Sequence, residues 1–115
     1  MDEKIKNILY NIDEENIAKL GEMLADADNE SMQAELARLE AQQMITAPID
    51  QSIFADMAKT VSPKEISKLM EGIQAERQKQ LQIAEKNNLV VKAKFRQIGI
   101  VFDTAKLIVQ NRTTN

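Results

Sequence analysis

The residues of this chain that could do chemistry are carboxylates and amines, because it contains neither histidine nor cysteine. That composition takes away the commonest general base, the Ser-His and Cys-His nucleophile pairs, and the Glu-x-x-His ligand sets of helical di-iron sites. Two acidic clusters remain. Asp13-Glu14-Glu15 is the denser, but three consecutive residues on a helix point in different directions and cannot converge on one atom. It reads better as a helix start, where negative charge meets the positive end of the helix dipole. Asp26-Ala27-Asp28-Asn29-Glu30 alternates acids like the opening of a calcium loop. Ser31, however, stands where the sharp turn needs Gly, and Ala37 where the bidentate Glu belongs. Gly21, Gly72 and Gly99 are too scattered for a phosphate-cradling loop. The sequence therefore predicts a non-enzymatic protein with no catalytic residues, metal ligands or cofactor.

The basic residues offer a different chemistry. Lys86, Lys92, Arg96 and Arg112 are the candidate contacts for nucleic acid, and Lys92 and Arg96 share a helix face one turn apart, with Phe95 adjacent. No helix-turn-helix or aromatic RNA motif accompanies them. Charge is unevenly divided: residues 1–60 carry −8 and residues 61–115 carry +5, for a net −3. Either the two halves attract each other, or the basic half meets an acidic partner.

The elements that position these residues are all helical. Val61-Ser62-Pro63-Lys64-Glu65-Ile66 is the best-specified start. Ser62 caps, Pro63 sits at the first helical position, Glu65 completes a capping box, and Val61 and Ile66 form a hydrophobic staple. A long helix over 63–110 follows. Its apolar stripe opens with Ile66, Leu69, Met70 and Ile73, then weakens where Arg77, Gln80 and Asn87 take the same tracks. Unbroken, it would run roughly 70 Å at about 1.5 Å per residue. A compact monomer must bend it near Asn87-Asn88, whereas an elongated oligomer could leave it straight.

Four short helices are expected ahead of it. The first is marked by Ile5, Ile8, Leu9 and Ile12, and the second, capped by Asp13, by Ile17, Leu20, Leu24 and Ala27. Asp26 to Ser31 serves as a connector. Met32, Leu36, Leu39 and Gln43 mark the third helix, ended by Pro48, and Ile49, Ile53, Phe54 and Met57 the fourth. The fold class is therefore all-α, a helical bundle or an elongated helical oligomer. The chain reads as one domain, with an acidic short-helix region over 1–60, a basic long-helix region over 61–110 and a polar tail over 111–115.

The segment 89–109 is the most apolar. On a wheel at 100° per residue its hydrophobic side chains spread over roughly 240°, leaving only a narrow polar stripe of Lys92, Arg96, Gly99, Asp103, Lys106 and Gln110. Lys94 points into the apolar arc, so its stem snorkels or its ammonium meets a carboxylate from another helix. Five charges in the segment argue against a membrane span, since each costs about 2.5–3.5 kcal/mol near a bilayer centre. So wide an arc needs cover from more than one side. Val91, Phe95, Ile98, Val101, Phe102, Ala105, Ile108 and Val109 are accordingly predicted to form a protein-partner or oligomer interface, in a homodimer or higher oligomer of coiled-coil character. In composition the chain resembles the small acidic helical proteins that bacteria and phages use as adaptors, secretion chaperones or inhibitors. The N-terminus lacks the basic start and apolar run of a signal peptide, so a cytoplasmic location is expected.

Overall fold

The structure is a computed structural model that describes Glu3 and residues 12–114, apart from the side chains of residues 51, 53 and 112–114. Among the described residues the fold is all-helical, with three helices: α1 over Glu14–Thr46, α2 over Gln51–Met57 and α3 over Pro63–Thr114. The short helix expected on Ile5, Ile8 and Leu9 lies outside the described residues.

The expected series of four short helices is corrected by α1, a single helix of 33 residues that passes straight through Asp26–Ser31. No Gly or Pro occurs in that connector, and each of its polar residues costs a helix only a few tenths of a kcal/mol relative to Ala. Its small residues also carry the inward face. Leu20, Leu24, Ala27, Ser31 and Ala34 recur at spacings of four and three, all buried or half-buried. Met32, Leu36, Leu39 and Gln43, expected to form a covered face, are exposed instead.

The starts of the helices follow the sequence closely. Asp13 caps α1, its Oδ1 accepting from the Asn16 amide at 2.8 Å. Ile12 and Ile17 close the staple within one apolar cluster. Asp50 caps α2, accepting from the Ser52 amide at 2.9 Å and the Ser52 hydroxyl at 2.7 Å. These bonds hold its carboxyl below the ordinary aspartate range. At α3 the Glu65 amide donates to Ser62 Oγ at 3.3 Å. The far end departs from expectation: α3 continues through the presumed polar tail to Thr114, and its backbone is helical across Asn87-Asn88.

The chain divides into two compact units, Met1–Ala34 with Asn88–Asn115, and Glu35–Asn87. In the first unit α1 and α3 run antiparallel: Leu24 Cδ1 lies 3.7 Å from where a Cβ on Gly99 would stand, and the Phe102 ring 3.5 Å from one on Gly21. Its core is Ile12, Leu20, Val101 and Ala105, with Ile17, Phe102, Ile108 and Val109 packed against it. Asn88 is buried too, at 5% exposure.

The second unit is held more by polar contacts. Gln74 Nε2 donates to the Ile45 carbonyl at 3.1 Å and Arg77 Nη1 to the Ala47 carbonyl at 2.9 Å. Both acceptors lie at the C-terminal end of α1, where carbonyls have no helical partner. Polar residues at 74 and 77 thus satisfy a helix end. Arg38 grips Glu35 through two hydrogen bonds, of 2.6 and 3.3 Å. The Glu35 bond, aided by the charges of Glu35 and Glu85, pushes the guanidinium above its ordinary range. Phe54 is the buried apolar side chain here.

Candidate protein-interaction surface

The segment 89–109 belongs to the first unit, and its wide apolar arc is divided between two faces of α3. On the inward face, Ile98 and Val101 are buried and Ala105 is 0% exposed. Val91, Phe95, Phe102, Ile108 and Val109 are half-buried on the same side. The eight residues expected to meet a partner therefore lie mostly on the contact between α3 and α1 of the same chain. Alternation of three and four along Asn88, Val91, Phe95, Ile98, Phe102 and Ala105 keeps one side of α3 turned to α1.

On the opposite side large apolar residues are exposed. Leu89 and Ile100 are each 67% exposed, Val90 62% and Leu107 60%. Leu89, Ile100 and Leu107 fall within about 20° of one another on a helical wheel, on the far side of α3 from Ile98 and Ala105. Ala93, Arg96 and Asp103 lie between them on the same stripe, all exposed. The sequence held this stripe within the wide arc but gave no means of separating it from the covered side, because both are aliphatic at helical spacing.

Charge across the helix pair settles the position of Lys94. Its Nζ lies 3.3 Å from Glu30 Oε2 on α1, so the ammonium meets a carboxylate from another helix. Both side chains are about half exposed, which makes the pair a weak contribution to stability. It is one point in the first unit at which α1 and α3 meet with opposite charges. Lys106 Nζ stands 4.6 Å over the Phe102 ring and 3.6 Å from Asp103.

Of the candidate nucleic-acid residues, two share a site within the first unit. Lys92 and Arg96 line an open hollow with Ser31 and Phe95. Lys86 belongs to the other unit, and the Arg112 side chain lies outside the described residues. Asp26–Glu30 is mid-helix, a geometry that cannot wrap an ion, and no cluster of acidic side chains able to hold a metal occurs among the described residues. No helix among the described residues is long and apolar enough to cross a membrane. The chain matches no protein-family model, no curated protein and no solved structure.

Proposed function

We propose that the chain is a non-enzymatic helical interaction protein, of adaptor, small-chaperone or inhibitor type, that associates with itself or with a protein partner through the 89–109 segment and works in the cytoplasm. The observation that supports this reading is the uncovered stripe of Leu89, Ile100 and Leu107 on a helix whose other side is already packed. Scattered exposed apolar residues are normal on any protein, but aligned ones rimmed by charge mark contact surfaces. Here the charges of Arg96 and Asp103 are interspersed along the stripe. Burying three such side chains is worth on the order of 1.5–3 kcal/mol each, enough to favour association once the entropy of docking is met.

The test is a triple variant, Leu89→Gln with Ile100→Gln and Leu107→Gln, compared with the wild type by sedimentation and by binding of an apolar dye. The variant is expected to keep its helical circular dichroism and to lose mass or dye binding. Unchanged mass and unchanged dye binding would refute the reading. Retention on DNA or RNA that falls steeply with salt, and falls further in Lys92→Glu, would replace it with a nucleic-acid role.

A further inference from the structure

We infer that the outward stripe of α3 pairs with the same stripe of a second copy, antiparallel, about a two-fold axis at Ile100. The inference rests on the association reading and goes beyond it by committing to occupant, direction and register. The stripe is Leu89, Ala93, Arg96, Ile100, Asp103 and Leu107, spaced four, three, four, three and four. Spacing of this kind keeps one line of residues facing a partner helix over several turns.

The argument for a second copy is that the stripe complements itself. In an antiparallel pair centred at Ile100, each copy's Leu107 lies over the other's Ala93, so that a large residue meets a small one. Each Arg96 lies beside the other copy's Asp103, which gives two equivalent ion pairs, as a two-fold contact requires. A parallel pair would set Arg96 against Arg96 and Asp103 against Asp103, and such like-charge meetings count against it. An antiparallel pair displaced by about one turn would put Leu89 on Leu107, but also Arg96 on Ile100 and Asp103 on Ala93, leaving both charges against apolar groups. Arg96 and Asp103 are exposed and available for this. Asp103 meets Lys106 of its own helix at 3.6 Å through Oδ1, and a carboxylate can accept a second cation on its other oxygen.

One helix against one helix is a contact at the small end of specific interfaces, so dissociation is expected around tens of micromolar. Sedimentation of the full chain across that range should show the mass doubling. Arg96→Asp and Asp103→Arg should each weaken the dimer about tenfold or more, and the two together should restore it. The chain has no cysteine, so single introduced thiols report without interference. Ile100→Cys should oxidise to a cross-linked dimer, and a mixture of Ala93→Cys and Leu107→Cys should cross-link where neither does alone. A dimer indifferent to both charge reversals, or Ala93→Cys linking to itself, overturns the antiparallel pairing while leaving association intact. A chain that stays monomeric at every concentration overturns the pairing outright, and the triple-variant dye measurement then decides the association reading separately.

Discussion

Arg77→Met removes a guanidinium while keeping most of the aliphatic stem, and so isolates one contact. Arg77 Nη1 donates to the Ala47 carbonyl at 2.9 Å, one residue past the end of α1, in a half-buried setting. A hydrogen bond from a charged group contributes about 1.5–3 kcal/mol when well sheltered. A cation at a helix C-terminus adds roughly 0.3–1 kcal/mol. Partial exposure pulls the total toward the lower end, to about 1–2 kcal/mol, because solvent competes for both groups. The last turn of α1 has no basic residue of its own, so nothing local replaces the lost cation. In a chain of this length 1–2 kcal/mol moves the thermal midpoint by about 3–8 °C. Urea unfolding followed by circular dichroism gives the free energy, and amide exchange locates it: protection in the last turn of α1 should fall more than protection around Ala105. Arg77→Lys should recover part of the loss, since it restores charge without the planar fork. If Arg77→Met matches the wild type in stability and exchange, the reasoning that α3 caps the end of α1 is refuted.

Three further outcomes follow from the same geometry. Gly72→Ala should stabilise the chain by about 1 kcal/mol, because the added methyl meets nothing within 4 Å and the helix gains its best former; equal or lower stability in urea would contradict this. Ala105→Leu should cost about 1–3 kcal/mol by overpacking a site that is 0% exposed, and an unchanged midpoint would mean that α1 and α3 are looser than described. The Asp50 cap should make a small, pH-dependent contribution. Its folded pKa is depressed, so the stabilisation is present above the ordinary aspartate pKa and is lost as pH falls through the lower, folded value. Asp50→Asn should flatten the acid limb of the stability profile, and an identical acid limb in both proteins would exclude the cap as its source.

Local chemistry made two helix starts legible, and long-range pairing hid much of the rest. Asp13 and Ser62 each act on an amide three residues away, so their roles can be read from neighbours in sequence; Asp50 acts on Ser52 in the same local way but was not among the expected caps. The continuity of α1 could not be read in that way. Asp26 to Ser31 is polar on its outer side and small on its inner side, and a run of that kind looks like a connector until a facing helix gives Ala27 and Ala34 something to cover. Gln74 and Arg77 were opaque for the same reason, since their acceptors lie 29 and 30 residues away. The excess apolar circumference of 89–109 was visible, but its division into covered and uncovered sides depends on where α1 lies. The residues expected to meet a partner, Ile98 and Ala105 among them, are therefore the ones that α1 covers.

That division bears on why the outward stripe would be retained. In the first unit the inward side of α1 combines Leu20 and Leu24 with Ala27, Ser31 and Ala34, small residues that let helices approach but bury little surface each. An alanine offers about three methylenes less than a leucine, some 2 kcal/mol less per position at about 0.8 kcal/mol per group. Asn88 is buried as well, at 5% exposure. The covered side of the pair is thin at these small positions of α1, while Leu89, Ile100 and Leu107 of α3 stay exposed. Under the proposed association, a partner that binds only the folded form would raise its stability by mass action. On this view folding of the first unit and its contact with a second molecule draw on the same helix, α3, from its two opposite sides.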